Sequence, residues 1–534
     1  MKEEYNLKRR NLLRIFLLSI FTFTFGWIIK KESDNTTLKR SSFEEFIEGN
    51  RESGTDEIKL LREWLADTER KMSWVNPTDY RYGAKGDGIT DDTIAIQLAI
   101  DSLKNTGGKV ILPNGTYIIS APLKVPSNVE LCGQNRWTCI VKLKDTAPNL
   151  GMLVKNSNAT VGSNTNITIC NLTFDGNKSN NKSHPQFNSN FAILDFYNVK
   201  GLNIKDCSIK NSISLGIAYH DCTTVSIIGN EIYGTFRDGI TGFGGLKNVI
   251  IANNQVHNTG DDCIAINAKD GKPQPENVTI TGNSLKDIDQ WQAGRCIKIG
   301  GARYFTVTGN TIDSAYFSGI IINKGDSIAP TKGVIQGNTI FNTGKYAQSA
   351  KDFTQEVGGV WVENASFVTI QANEIHDTWG NGIMFFNSSD CKAIGNTVKS
   401  TTKTNSRGIE VAAISKRIII NNNHVSLTNI EGIYIGTNNS YIACSGNTVI
   451  NSGQGESNKP AISMGTVTAI TLVGNICYDD QTTKTQNYGI YLGEASGGLV
   501  VTNNNCLGNI AAGINQASSS ANNRVVANNI GTVI

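Results

Sequence analysis

Short alternations of apolar and polar residues recur along most of this chain of 534 residues. Segments such as Cys263–Asn267 and Gly319–Asn323 place Ile at alternate positions, which is the pattern of a strand with one buried face. An amphipathic helix would need apolar residues spaced three and four apart, and these segments lack that spacing. The alternation therefore predicts an all-β protein.

The alternating segments belong to a repeat, and the repeat predicts the architecture. Each unit opens with an Asn, usually after Gly or another Asn, and successive units are mostly 23 to 30 residues apart. One unit of this size cannot bury its own apolar face and must stack on its neighbours. We therefore expect a right-handed parallel β-helix in which the repeated Asn residues form an amide ladder at a turn. The predicted ladder residues are Asn230, Asn254, Asn283, Asn310, Asn338, Asn373, Asn396, Asn423, Asn447, Asn475 and Asn505.

A short helix is predicted at the N-terminal end of the solenoid. Thr90 is a good helix N-cap, and Ile94, Leu98 and Ile100 are expected to supply the buried face of a helix that runs to about Leu103. An open first coil would expose strand edges and core, so this helix is expected to cap the solenoid.

The N-terminal segment differs from the repeat. The basic pair Arg9–Arg10 precedes an apolar run, Ile15–Ile29, in the order that is typical of signal sequences. Residues 1–34 are therefore predicted to be a twin-arginine-like signal or a membrane anchor, and residues 35–75 a charged helical spacer. The β-helix catalytic domain is predicted to span residues 76–534. This organisation predicts a protein that is secreted or anchored at the cell surface, with membrane association possible through the N-terminus.

Charge and cysteine content narrow the choice of partners and cofactors. The net charge is +3 and the basic residues are scattered, so nucleic-acid binding has no support. Most of the 11 Cys fall at strand positions, where we interpret them as small core residues. Cys132 and Cys139 are the one pair considered for a disulfide bridge. No Cys/His spacing is typical of zinc, and the sequence predicts neither a metal nor a cofactor.

The repeat also aligns a group of charged residues. Asp238, Asp262 and Ser318 each lie eight residues after a ladder Asn, namely Asn230, Asn254 and Asn310, so they share one position in the repeat. Four extra residues in the Asn283 unit bring Arg295 to the same position. Glycoside hydrolysis needs one protonated carboxyl group and one ionised carboxylate, and crowding of carboxylates can supply both. Asp238, Asp261 and Asp262 are therefore the predicted catalytic residues. The alternative is that these aspartates only cap backbone amides in the turns.

Two stretches resemble a known family. Asp79–Ser120 resembles the N-terminal signature of the pectate lyase superfamily. Thr259–Asn267 (TGDDCIAIN) is similar to the Gly/Gln-Asp-Asp-Cys motif of the polygalacturonases, glycoside hydrolase family 28. Phe236–Ile240 keeps the Asp-Gly of that family's Asn-Thr-Asp-Gly motif. The resemblance covers roughly residues 77–325, and the later coils share only the generic repeat.

The resemblance implies a polygalacturonase-like hydrolase with an inverting mechanism. It implies that Asp261 is the general acid and that Asp238 and Asp262 together activate water. Two departures bear on the substrate: Arg295 stands where the family has the His of a Gly-His-Gly motif, and the family's Arg-x-Lys clamp is missing from Phe317–Asn323.

Further residues are predicted to bind substrate. Arg295 and Lys298 are expected either to hold the carboxylate of an acidic sugar or to balance the charge of the aspartates. Trp361 and Tyr434 have outward strand parity and are predicted to stack on sugar rings in an exposed groove. His220 and His257 lie near the cluster in the repeat, where a histidine could transfer protons, but we interpret both as polar turn residues.

Three functions follow from this pattern. The first is an exported glycoside hydrolase, polygalacturonase-like, that acts on an acidic, uronate-containing polysaccharide. The second is a polysaccharide lyase or C5-epimerase on the same fold, in which Lys298 or Arg295 abstracts a proton and calcium or cations neutralise the uronate carboxylate. The third is a non-catalytic surface protein that binds glycans along the solenoid.

Overall fold

A computed structural model describes residues 74–146, 152–160, 162, 164–181, 191–288, 294–344, 356–402, 405–456, 458–493, 495–516 and 524–534. The predicted signal and most of the predicted spacer, residues 1–73, lie outside the described residues. The described part is a parallel β-helix, so the predicted fold is confirmed. Its first strand begins at Trp74, two residues before the predicted domain boundary. Within the described ranges, no helix has both the length and the apolar character needed to cross a membrane.

Three parallel sheets run along the described part of the solenoid, and each coil except those at the two ends contributes one strand to each sheet. Sheet 1 contains Trp74–Val75, Gly108–Leu112, Val129–Gly133, Asn164–Cys170, Val199–Lys205, Thr223–Ile228, Lys247–Ala252, Glu276–Thr281, Arg303–Thr308, Thr331–Gln336, Ser366–Gln371, Lys392–Ile394, Ile419–Asn421, Ser440–Ser445, Val467–Val473, Ala495–Thr502 and Arg524–Ala527. Sheet 2 contains Asp87–Asp91, Gly115–Ile119, Cys139–Leu143, Thr173–Asp175, Ser208–Lys210, Glu231–Tyr233, Gln255–Thr259, Ser284–Ile288, Thr311–Asp313, Thr339–Phe341, Glu374–Thr378, Thr397–Thr401, His424–Ser426, Thr448–Ile450 and Ile476–Tyr478. Sheet 3 contains Leu123–Val125, Val154–Asn156, Ala192–Tyr197, Leu215–His220, Ile240–Phe243, Ile264–Asn267, Ile297–Gly300, Ser318–Asn323, Gly358–Glu363, Asn381–Phe386, Ile409–Ala412, Ile433–Ile435, Ile462–Met464, Tyr488–Leu492 and Ala512–Gln516.

The core fills the inside of the coils and sets the register between them. Ile240, Ile264, Ile297 and Ile320 are successive partners in sheet 3, and all four are fully buried. Fully burying a side chain of this kind contributes about 1.5–3 kcal/mol. A slip of one residue would turn the whole Ile row outward, so the register of the coils is strongly specified.

The predicted Asn ladder is present, with one correction at its C-terminal end. The Oδ1 atom of Asn254 accepts hydrogen bonds from the backbone N–H of Asn230 at 2.9 Å and from its Nδ2 at 3.0 Å. The same pair of bonds links each later ladder residue to the next. Asn475 donates to Asn504 and not to Asn505, so the prediction of Asn505 was wrong.

The residue before each ladder Asn explains the Gly-Asn and Asn-Asn steps. Gly229 has a φ of 70° and Asn253 a φ of 54°, both in the left-handed region. Gly and Asn are the residues that enter this region most readily. Asn503 has a φ of 58°, which makes Asn504 the ladder residue in a run of three Asn.

The N-terminal helix, α1, spans Thr93–Ser102, and it begins later than predicted. Thr90 lies in the preceding strand, and the N-cap residue is Asp92. The carboxylate of Asp92 accepts hydrogen bonds from the backbone N–H groups of Lys85 at 2.7 Å and Gly86 at 3.0 Å. Asp92 therefore ties the helix to the segment before the first strand of sheet 2 instead of capping the helix itself.

The buried face of α1 also differs from the prediction. Ile94 is 74% exposed and Leu98 50% exposed, whereas Ile96, Ala99 and Ile100 are fully buried in the core. Two residues correspond to about 200° around a helix, so a small error in phase exchanges the two faces. Of the predicted face only Ile100 is correct.

The part of the chain that the structure describes contains one disulfide bond, between Cys132 and Cys170. The two residues are direct partners on neighbouring strands of sheet 1, with a Cα–Cα distance of 4.6 Å. The proposed pairing with Cys139 was wrong, because Cys139 is buried in sheet 2 as a free thiol. The other free cysteines are buried too, as predicted for core residues.

Candidate active site

The predicted column of charged residues exists. The backbone N–H of Gly239 donates to the carbonyl oxygen of Asp262 at 2.9 Å, and that of Cys263 donates to the carbonyl oxygen of Arg295 at 3.0 Å. Asp238, Asp262 and Arg295 therefore stack on successive coils, just before the strands of sheet 3.

A repeated turn between sheets 2 and 3 positions the aspartates. The hydroxyl of Thr259 donates to the carbonyl oxygen of Asp261 at 2.8 Å, and the hydroxyl of Thr235 donates to that of Arg237 at 2.6 Å. Asp261 thus occupies the position that Arg237 has one coil earlier. Each turn delivers two adjacent side chains to the same edge of the solenoid.

All three predicted catalytic aspartates line one cavity of about 520 Å³. Asp238 is 6% exposed and Asp262 4% exposed. The residues around the cavity are Tyr197, His220, Asp221, Arg237, Asp238, Phe243, Gly244, Asp261, Asp262, Asn267, Lys269, Lys272 and Lys298. The structure therefore brings together the residues that the sequence predicted to be catalytic.

Burial and mutual repulsion favour a proton in this cluster. Burial, with the charges of Asp261 and Asp262 as further causes, raises the pKa of Asp238 well above its usual range. Burial and the charge of Asp262 raise the pKa of Asp261 to about 6, against the opposing effect of nearby cations such as Lys298. Because such groups titrate together, the proton belongs to the cluster as a whole.

The two predicted cations have different surroundings. Lys298 lines the cavity, and no carboxylate of the described residues forms an ion pair with it. Arg295 does not line the cavity: its guanidinium pairs with Glu356 and lies 4.8 Å from the centre of the Phe317 ring. Burial alone would lower the pKa of Arg295, but Asp262 and Glu356 offset this and raise it. This position suits charge balance, the second of the two predicted roles of Arg295, and its role in binding an acidic sugar stays a prediction.

The predicted aromatic platform is not open to solvent. Trp361 is only 6% exposed and packs with Ile321 and Met384, so the exposed groove predicted at this residue is wrong. The ring of Tyr434 is partly exposed, but the guanidinium of Arg407 lies 4.2 Å from its centre. Neither aromatic residue lines the cavity, so their role in sugar binding stays a prediction.

The structure adds a stack of rings that the sequence interpretation missed. Tyr197, His220 and Phe243 are aligned partners in sheet 3, and all three line the cavity. His220 ends a strand and is not the turn residue that we predicted. The repeat carried the signal, because His220 and Phe243 hold the same position in consecutive coils. His257, in contrast, lies in sheet 2 and does not line the cavity.

Comparison with known proteins agrees with this architecture. Residues 74–295 match the family described as rhamnogalacturonase A/epimerase, pectate lyase-like, and residues 295–459 match the right handed beta helix region. The pre-neck appendage protein of Bacillus phage phi29 is 34% identical over 186 residues, which cover 34% of this chain and 20% of that protein. A mannuronan C5-epimerase of Azotobacter vinelandii is 28% identical over 245 residues, which cover 39% of this chain and 27% of that protein. The chain thus matches less than a third of the length of either relative.

A solved structure shares the fold over most of the chain. A tailspike protein mutant of E. coli bacteriophage HK620, in complex with a pentasaccharide, has a TM-score of 0.55 at 13% identity and covers 86% of this chain and 79% of its own. The two family matches and the three-sheet coil agree on a right-handed parallel β-helix that is pectate lyase-like over residues 74–295.

Proposed function

We propose that this chain is a glycoside hydrolase that cleaves an acidic polysaccharide at the cavity holding Asp238, Asp261 and Asp262. The observation that carries the proposal is the pair of aspartates with raised pKa values, Asp238 and Asp261, beside a third carboxylate in one cavity. A carboxylic acid that keeps its proton near neutral pH is what protonation of a glycosidic oxygen requires.

The cluster supplies the acid of the reaction. Asp238 and Asp261 share the proton, and one of them donates it to the leaving oxygen. The resemblance to family 28 implies that Asp238 is part of the base. A carboxyl group with a strongly raised pKa already holds a proton at neutral pH, however, so it cannot accept one from water. Asp262 contributes its negative charge, which helps to keep the proton on its neighbours.

Cations at the cavity support an acidic substrate. Arg237, Lys269, Lys272 and Lys298 all line it. Lys269 pairs with Asp326 and Lys272 with Asp221, whereas Lys298 forms no ion pair with the described residues. Lys298→Met is expected to raise KM for an acidic oligosaccharide much more than for its carboxyl-reduced counterpart. Equal losses for both substrates would mean that Lys298 serves only the aspartates.

The decisive experiment is a screen of the full chain for release of reducing ends. Polygalacturonate, alginate and neutral glucans are suitable substrates, with Asp261→Asn as the matched inactive control. The expected result is turnover of an acidic polymer that falls by about 100-fold or more in Asp261→Asn, the range of general acid catalysis. Turnover of neutral glucans alone would reject the acidic substrate.

A lyase or C5-epimerase is the second candidate. The similarity to a mannuronan C5-epimerase favours it, and Lys298 lines the cavity where a base would abstract the C5 proton. Products with an unsaturated, ultraviolet-absorbing uronide would identify a lyase. Exchange of the C5 proton with deuterated water without chain cleavage would identify an epimerase.

A glycan-binding protein without catalysis is the third candidate. Similarity to a phage pre-neck appendage protein and the fold shared with a tailspike bring it into consideration. Tight binding of a glycan that is unchanged in Asp261→Asn, with no change in the glycan after long incubation, would select this function.

Export is proposed as well. The Cys132–Cys170 disulfide supports it, because such bonds persist mainly in oxidising compartments. Replacing Arg9 and Arg10 by Lys is expected to retain the protein inside the cell if the twin-arginine-like signal is used. Unchanged fractionation of this variant would reject the signal.

A further inference from the structure

A histidine at the cavity has a fully buried carboxylate behind it. The Nε2 atom of His220 lies 3.2 Å from Oδ1 of Asp195, and the side chain of Asp195 has no exposed surface. Neither carboxylate oxygen of Asp195 has a well-aligned hydrogen bond among the described residues. Burying a carboxylate in this way is unfavourable unless a nearby group compensates its charge. The aligned residue in the next coil is Ala218, so the fold itself does not require a carboxylate here.

The ring of His220 is held on both faces. It stacks on Tyr197 at 4.1 Å between ring centres and an interplanar angle of 3°, and on Phe243 at 4.9 Å and 18°. Its Nε2 atom is buried against Asp195, which leaves Nδ1 as the ring nitrogen that can reach the cavity. Asp195 also acts on Tyr197: burial first, and then the Asp195 charge, raise the pKa of this phenol to about 12.

We propose that His220 is the general base of the reaction and that Asp195 is the residue that positions it. This inference rests on the hydrolase function proposed above. Asp195 favours the tautomer with a proton on Nε2, so Nδ1 keeps its lone pair.

The proposed hydrolysis forms one bond, breaks one bond and moves two protons. A water oxygen bonds to the anomeric carbon while the bond from that carbon to the glycosidic oxygen breaks. The glycosidic oxygen takes the proton of an aspartic acid in the cluster, and Nδ1 of His220 takes the proton that the water loses. The imidazolium that forms is stabilised by the Asp195 carboxylate.

Two of the three aspartates are assigned to the acid of the reaction, and the third is bonded to the backbone of the next coil. Asp238 and Asp261 hold the proton that the leaving oxygen needs, since both have raised pKa values. The Oδ1 atom of Asp262 accepts a hydrogen bond of 2.8 Å from the backbone N–H of Arg295. His220 is then the cavity-lining residue whose lone pair and orientation suit a base.

The first test compares two histidines that both stack on a tyrosine. His257 stacks on Tyr233 at 5.1 Å and 4°, but it does not line the cavity. The substrate for this test is the acidic polymer that the full-length wild type turns over fastest. His220→Gln is expected to lower kcat on it by about 100-fold and to change KM by less than about threefold. His257→Gln is expected to leave both constants unchanged. The isosteric Asp195→Asn should also lower kcat, by about tenfold or more, because it removes the tautomer preference.

The second test separates proton transfer from packing. His220→Ala leaves a slot between the rings of Tyr197 and Phe243 that a small heterocycle can enter. Added imidazole is expected to restore turnover, whereas pyrazole, a ring of the same size but a much weaker base, is not.

Three outcomes would overturn the proposal. The first is full kcat in folded His220→Gln, and the second is equal rescue by pyrazole, which would make the ring a packing element. The third outcome is full kcat in folded Asp195→Asn, and this measurement decides the question if His220→Ala does not fold. A wild type that turns over no glycan at all would instead reject the proposed function, and the base assignment with it.

Discussion

Asp262 accepts a hydrogen bond of 2.8 Å from the backbone N–H of Arg295, one coil further along the solenoid. Asn381 makes an equivalent bond, also of 2.8 Å, to the backbone N–H of Arg407. The structural contact therefore needs an oxygen acceptor but no charge. The charge of Asp262 acts on its neighbour Asp261: burial and this charge together raise the pKa of Asp261.

Substitutions at Asp262 should separate these two roles. Asp262→Asn keeps an oxygen acceptor, so its free energy of unfolding is expected within about 1 kcal/mol of wild type. Asp262→Ala leaves the N–H of Arg295 unpaired and is expected to lose about 1–3 kcal/mol. Both variants should lose turnover at neutral pH, since the acid loses a charge that keeps it protonated. Urea unfolding and turnover measure the two effects, and equal stability of the Asn and Ala variants would contradict this division.

Asp261 should destabilise the folded protein at neutral pH. Its pKa is about 6 in the folded state, above the usual value of 3.8. Between these values the folded state binds the proton more tightly, so stability falls as pH rises through this window. Such a pKa shift corresponds to a loss of at most about 3 kcal/mol in the free energy of unfolding, and solvent screening makes the loss smaller. Asp261→Asn should therefore match wild type near pH 3.5 and exceed its unfolding free energy by about 1–3 kcal/mol near pH 7. A variant less stable than wild type at neutral pH would show that the carboxylate is structural.

Lys298 should set the alkaline limit of activity. Its charge lowers the pKa values of Asp238 and Asp261 against the larger effect of burial. Lys298→Met removes that charge, so the acid stays protonated to a higher pH and the alkaline limb of kcat/KM should move up. Lys272→Met is a matched control, because Lys272 lines the same cavity but pairs with Asp221. The pH profile of kcat/KM measures both variants, and an equal shift in the control would indicate a general loss of positive charge.

The Cys132–Cys170 bridge should stabilise the N-terminal coils. Replacing both residues by Ser is expected to lower the free energy of unfolding by about 2–4 kcal/mol, the usual contribution of a disulfide. Thiol titration of the unreduced protein in denaturant should find nine thiols, one for each free cysteine. Eleven thiols would show that the bridge does not form in the isolated protein.

Repetition made much of the fold readable from the sequence. Every coil has the same alternation, so the strands, the Asn ladder and the alignment of Asp238 with Asp262 follow from spacing alone. The prediction of buried residues failed in the N-terminal helix, because this helix is not part of the repeat and its sequence does not show which face is turned inward. In α1, Ile94 and Leu98 are exposed because packing against the first coils, and not periodicity, decides which face of a single short helix is buried.

The candidate site divides in the same way. The sequence by itself determined which residues share a position on neighbouring coils, because parallel strands in register repeat that position at every turn. Only the tertiary structure decided where each side chain ends: Arg295 on Glu356, Trp361 among apolar neighbours, and His220 against Asp195. These contacts join residues from different coils, and long side chains can turn either way from the same backbone position. Local spacing sets the backbone position, whereas burial and charge pairing across coils select the rotamer.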